Sequence, residues 1–247
     1  MKISIVIPVF NEAKTIGDVL SSVANAPPVD LKKEIIVVDD GSTDGTREFL
    51  QKQHDLIVIF HNENAGKGAA IRTGLKYVTG EIVIIQDADL EYSPRDYPVL
   101  VGPILQDNAD VVYGSRFIGG VHRVLFFWHS VGNRVLTLLS NMFSDLNLTD
   151  METGYKAFRA DIFKTIRLES DRFGFEPEIT AKVARHGCRV YEVPISYRGR
   201  DYAAGKKITW RDGIAALWHI MRYNLLSSVK DEKAVSHTVV VLQPSRH

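Results

Sequence analysis

Asp87-Ala88-Asp89 follows a short apolar run that ends at Ile85, so two carboxylates stand two positions apart where a buried strand stops. Such a pair can converge on one hard divalent cation, and Mg²⁺ or Mn²⁺ typically rests on one or two carboxylates and completes its shell on substrate phosphates. Glu91 would add a third oxygen if the chain turns back after Leu90. A second acidic turn, Asp39-Asp40-Gly41-Ser42-Thr43-Asp44-Gly45-Thr46, closes another apolar run. Its glycines permit close approach to a ligand, and its carboxylates can accept from a nucleobase N–H or a ribose hydroxyl. A Ca²⁺ loop is the rival reading, disfavoured because the twelve-residue spacing that ends in a bidentate Glu is missing. Asn64-Ala65-Gly66-Lys67-Gly68 resembles part of a phosphate loop, but Gly68 follows the lysine where Ser or Thr is required, which disfavours a kinase or NTPase. Lys67 remains a candidate contact to a diphosphate.

Cations follow in the second half. Arg116 sits after an apolar run, then come His122, Arg123 and Arg134, with Lys156 and Arg159 beyond. Guanidinium groups match phosphate oxygens bidentately, so Arg116 and Arg134 are the preferred candidates to hold a phosphate. The segment 197–207 carries Arg198, Arg200, Lys206 and Lys207 around Gly199 and Gly205, a composition suited to a mobile lid that meets phosphate, and equally to a solvated loop. Phe126-Phe127-Trp128 lies between Arg123 and Arg134, and Trp210, Trp218 and Tyr223 follow the basic segment. Aromatic and basic residues mixed in this way suit a bilayer interface or a prenyl chain, and equally a helix packed on its own core.

These groups need a frame. Residues 3–9, 34–38, 56–60 and 81–85 read as buried strands, alternating with helices before Pro27, up to Leu50 and over 69–77. Thr43 or Asp44 can cap the second of these helices. Near-continuous apolar strands alternating with helices indicate a parallel sheet covered on both faces, whose ligands sit beyond the carboxyl ends of the strands. Further on, the pattern predicts a helix to Gln106, a strand over 109–113, a long helix over 124–143, a short strand over 154–158 and a helix over 161–166. A helix over 176–186, a strand over 189–195 and a last helix over 212–226 complete it. The run 239–242 reads as a docked edge strand or as disorder. One domain over 1–226 and a polar tail over 227–247 are expected.

The 247 residues are enough for a full core, and 30 Lys and Arg balance 30 Asp and Glu, so overall charge directs the chain to no nucleic acid. The lone Cys188 excludes an internal disulfide and a cysteine zinc cluster, and no stretch reads as a signal peptide or a membrane-spanning helix. The expectation is a cytoplasmic protein that touches a membrane, if at all, peripherally on its cytoplasmic face or through a separate membrane protein.

In order, Pro8-Val9-Phe10-Asn11-Glu12, the 39–46 turn, 64–68, Asp87 to Asp89 and Gly114-Ser115-Arg116 resemble the signature of family 2 glycosyltransferases. Asp150-Met151-Glu152-Thr153-Gly154-Tyr155-Lys156-Ala157-Phe158-Arg159 and Phe173-Gly174-Phe175-Glu176-Pro177-Glu178 are similar to the catalytic domain of dolichyl- and polyprenyl-phosphate mannosyl- or glucosyltransferases. The likeness spans about residues 3–226. It implies a GT-A fold, a single Rossmann-like α/β/α domain with a mostly parallel sheet. It implies a GDP- or UDP-linked sugar donor held by Asp39, with Pro8, Glu12, Asp40, Ser42 and Lys67, while Asp87, Ala88, Asp89 and Glu91 serve diphosphate and metal. Asp150 and Glu178 are implied near the cleft, although each can instead make a local structural contact. Inverting transfer of a hexose to a lipid phosphate is the leading expectation. A soluble or saccharide acceptor, with Asp150 or Glu178 as base, and a non-catalytic nucleotide-sugar-binding scaffold are the alternatives.

Overall fold

A computed structural model describes residues 1–27, 31–119, 127–172, 174–199, 210–226 and 240–242. Strand β1 (Lys2–Val9) is flanked in parallel by β2 (Lys32–Asp39) and β4 (Ile82–Ile85), and β3 (Ile57–Phe60) continues in parallel beyond β2. On the other side β6 (Lys156–Arg159) runs antiparallel to β4 and to β5 (Val111–Ser115), which pairs in parallel with β7 (Val190–Pro194). The run at the end of the chain takes the edge position, as β8 (Val240–Leu242) antiparallel to β3. The eight strands lie in the order β7-β5-β6-β4-β1-β2-β3-β8. The expected mostly parallel sheet is present, with β6 and β8 reversed.

Alternation along β1 builds the two core layers. Ile3, Ile5 and Ile7 face one side, where Ile16, Val19, Leu20 and Val23 of α1 (Ile16–Ala24) and Tyr97, Leu100 and Val101 of α4 (Tyr97–Leu105) cover them. Val6 faces the other side with Ile36 and Val38, beneath Ala70 and Ile71 of α3 (Lys67–Leu75). Gly74 lets α3 close on the sheet: a Cβ there would stand 2.6 Å from Val6 Cγ1 and 3.3 Å from Val38 Cγ2. Leu50 of the short helix α2 (Thr46–Leu50) joins the first layer, and Ala160 and Phe163 of α6 (Ala160–Thr165) join the second. Asp44 accepts from the Thr46 N–H at 3.1 Å and so serves the start of α2.

Three longer helices complete the second half: α5 (Phe127–Ser144), α7 (Phe175–Arg185) and α8 (Trp210–Met221), the last running into a wider turn over Arg222–Leu226. Helices α5, α7 and α8 touch one another. Their outward sides stay apolar, with Trp128, Leu138 and Met142 on α5 and Ile214 and Trp218 on α8 all exposed.

Candidate functional site

Strand order reverses at β1, since β2 and β3 lie to one side and β4 to the other. Ligands of open α/β sheets bind at such a switch point, beyond the strand ends. Val9 is in register with Asp39 on β2 and Val6 with Ile85 on β4, so the turns at Asp39 and Asp87 open on either side of the end of β1.

On the β4 side, Lys67 Nζ lies 2.9 Å from Asp87 and 3.0 Å from Glu176 on α7. Gly66, at φ +103°, ends the loop before α3 and places Lys67 at the helix start. Burial opposes the lysine's charge, but Asp87 and Glu176 more than offset it and hold its pKa above the ordinary value. Gly154 packs against this pair so tightly that a Cβ would collide with the Asp87 carboxylate and the Lys67 ammonium. The Gly154 N–H donates to Tyr92 Oη at 3.1 Å, and Tyr92 stacks on Tyr155.

On the β2 side, Asp39 is fully buried, accepting from the Ser42 N–H at 3.2 Å and Arg47 Nε at 2.9 Å. Asp40 accepts from the N–H groups of Ala65 and Gly66 and pairs with His61 Nδ1 at 2.7 Å, so it anchors the 64–68 loop to the end of β2. Ser42 Oγ accepts from the Asn11 N–H, and the Glu12 N–H donates to Thr46 Oγ1. Thr15 Oγ1 lies 2.9 Å from the Glu12 carboxylate and 2.8 Å from the Ala88 carbonyl, so the Asp87–Asp89 turn is linked through Thr15 and Glu12 to the other acidic turn; Pro8 is buried.

Asp89 Oδ1 accepts from the Glu91 N–H at 3.1 Å, and Tyr197 Oη donates to Glu91 Oε2 at 2.9 Å. Among the described residues no three His, Cys, Asp or Glu side chains group as a metal cage. A donor set of Asp87 and Asp89 instead fits a cation that completes its coordination on diphosphate oxygens. Just after β5, Arg116 forms a two-pronged pair with fully buried Asp150 at 2.6 and 2.7 Å, Asn133 joins them, and the Tyr197 ring lies under the guanidinium.

Several expected contacts fall elsewhere. Glu178 turns into the core, where it accepts from the Glu169 and Ser170 N–H groups and pairs with Lys182 Nζ at 2.6 Å; its neighbour Glu176 is the carboxylate that reaches Lys67. Lys156 is fully buried and donates to the carbonyls of Met151 and Thr153. Arg159 pairs with Asp161 and Asp107 at the opposite end of the sheet. Arg134 lies exposed on α5, while His122, Arg123, Phe126, Arg200, Lys206 and Lys207, and with them most of the expected lid, lie outside the described residues. Glu176 was missed because residues two apart on a helix point roughly 200° apart, and the sequence leaves the rotation of α7 undetermined.

The model of the glycosyl transferase family 2 matches residues 4–167. The chain belongs to this family. An uncharacterized protein of Methanocaldococcus jannaschii is 32% identical over 89% of this chain and 91% of its own length. The undecaprenyl-phosphate mannosyltransferase of Micrococcus luteus is 29% identical over 91% of this chain and 99% of its own. Among solved structures, glucosyl-3-phosphoglycerate synthase of Mycobacterium tuberculosis, in complex with Mn²⁺, UDP and glucosyl-3-phosphoglycerate, superposes with a TM-score of 0.71 at 21% identity. It covers 98% of this chain and 90% of that one, and the likeness establishes the GT-A fold of this family 2 glycosyltransferase.

Proposed function

We propose that this glycosyltransferase transfers a hexose from a nucleoside-diphosphate sugar to the phosphate of a polyprenyl or dolichyl carrier, with inversion at the anomeric carbon and release of the nucleoside diphosphate. The Lys67–Asp87–Glu176 cluster carries the donor half of this reading, because it fixes a cation and a carboxylate beside the Asp39 turn at the switch point. Asp39 and its turn would hold the nucleoside, and Asp87 and Asp89 would hold Mg²⁺ or Mn²⁺ with the diphosphate. The metal supplies neutralisation of the charge that grows on the leaving diphosphate. Lys67 would orient that group, and Arg116, locked by Asp150 and Asn133, would present a fixed cation to the acceptor.

Asp150 and Glu178, the carboxylates expected as bases for a hydroxyl acceptor, are both committed to cations. A phosphate monoester needs little base, since its second pKa is about 6. The Micrococcus relative, named for undecaprenyl phosphate, supports the same acceptor class. So do the exposed apolar sides of α5 and α8, which would rest on a membrane surface, no helix among the described residues being long and apolar enough to cross one. A second reading, a small soluble acceptor, is favoured by the solved synthase, whose bound product is a sugar on phosphoglycerate. Incubation with labelled UDP- and GDP-sugars, Mg²⁺ or Mn²⁺, polyprenyl phosphate and 3-phosphoglycerate separates them. Label extracted with the lipid supports the first reading. Label confined to water-soluble product supports the second, and no transfer from any donor leaves a binding scaffold.

A further inference from the structure

Glu152 is half-buried, and among the described residues no ion pair holds its carboxyl. Its Oε1 is shut off from solvent and has no hydrogen-bond partner among the described residues. Lys67 is committed to Asp87 and Glu176, Arg116 to Asp150, and Lys156 to the Met151 and Thr153 carbonyls that flank Glu152 in the chain. The charged groups that act on Glu152 are Glu176 from α7, Lys156 from β6, Arg116 from the end of β5 and Asp150 from its own segment. The three cations Lys67, Arg116 and Lys156 already face the three carboxylates Asp87, Asp150 and Glu176, so an ionised Glu152 would be a fourth anion without its own cation among the described residues. A buried polar atom without a partner is costly, and native structures rarely keep one unless something else satisfies it.

We propose that Glu152 works in its protonated form and donates a hydrogen bond to an anionic phosphate oxygen of a substrate bound between Lys67 and Arg116. The inference rests on the nucleotide-sugar reading. The oxygen could belong to the donor diphosphate or to the acceptor phosphate; the chemistry recognised is the same. Burial first, and then Glu176 and Asp150, push the Glu152 carboxyl up to about 8, against the pull of Lys156 and Arg116. Below that pH the acid donates; above it a carboxylate would face the phosphate and repel it.

The test titrates UDP and GDP with Mg²⁺ calorimetrically into the full-length wild type, E152Q and E152A from about pH 6 to about pH 9, and follows KM for polyprenyl phosphate over the same range. Wild-type affinity for the phosphate that Glu152 touches should be level at low pH and fall toward tenfold per unit above about pH 8. E152Q keeps an N–H donor and cannot ionise, so its affinity should stay within about threefold of wild type at neutral pH and fall less steeply above it, the remaining limb being that of Lys156, whose ammonium burial pulls down to about 8, while E152A should bind about tenfold more weakly. An effect on nucleotide affinity assigns the donor diphosphate; an effect confined to KM assigns the acceptor phosphate. A falling limb as steep in E152Q as in wild type in both arms overturns the proposal. So does E152Q with intact binding and no turnover, which would make Glu152 the base for a hydroxyl acceptor. Infrared spectroscopy of the unliganded protein near pH 7 reads the proton directly, as a carboxylic-acid stretch present in wild type and absent from E152Q. Its absence from wild type would also overturn the proposal, whereas failure of wild type to bind any nucleotide would count against the nucleotide-sugar reading.

Discussion

Lys67 shares one charge between two carboxylates, so loss of any group at the end of β4 changes the electrostatics of the rest. Asp89 lies only partly buried, and its truncation opens no core cavity. Asp89→Ala is therefore expected to abolish sugar transfer while unfolding within about 0.5 kcal/mol of wild type. Undiminished turnover at saturating metal and donor would remove Asp89 from the metal site. Glu176 and Glu178 should behave in opposite ways. Glu178→Ala leaves Lys182 buried beside two N–H groups that have lost their acceptor, a loss of about 3–5 kcal/mol visible in chemical denaturation. Glu176→Ala releases Lys67 and should weaken nucleotide binding with a far smaller change in stability; the reverse pattern in the two variants would contradict the assignment. The sequence made the acidic pair at Asp87 and Asp89 legible because both follow a strand end. It left Glu176 and Glu178 unresolved because helix rotation is set by packing, and it hid the Asp150–Arg116 pair because partners 34 residues apart in sequence carry no local signal.

At the scale of elements, α3 shows how close packing delivers a side chain. Gly74 seats the helix on Val6 and Val38, and the same helix begins at Lys67. Gly74→Val would lift α3 from the sheet at a cost of about 1–3 kcal/mol, and nucleotide affinity should fall with it. Unchanged affinity in a folded variant would show that Lys67 is positioned by its loop alone. Strands β1, β2, β3 and β4 were legible from their apolar runs and lie within a residue or two of the expected places. The predicted strand over 154–158 instead spans Lys156–Arg159, and its antiparallel insertion between β4 and β5 was not legible, since pairing partners depend on tertiary context.

Across the whole molecule, α5 and α8 come from distant parts of the chain and meet with their apolar sides outward. Trp128 is 78% exposed and Trp218 55%, and Arg134 on α5 and Arg222 in the turn after α8 are also exposed. Such faces bind lipid headgroup regions through buried apolar area and attraction to anionic lipid. The protein is expected to float with vesicles of anionic phospholipid, less so at high salt, and a Trp128→Glu, Trp218→Glu double variant should remain in the soluble fraction with nucleotide affinity unchanged. Flotation of that variant equal to wild type would place the membrane contact elsewhere. A different consequence follows from the crowding around Gly154, whose missing Cβ leaves room for Asp87 and Lys67, and around Gly66, which a Cβ would drive into the Asp171 carbonyl. In a survey of every single substitution along the chain, these two positions should be as intolerant as the aspartates. The imprint of catalysis on permitted sequence variation would then be written partly by residues that have no functional group at all.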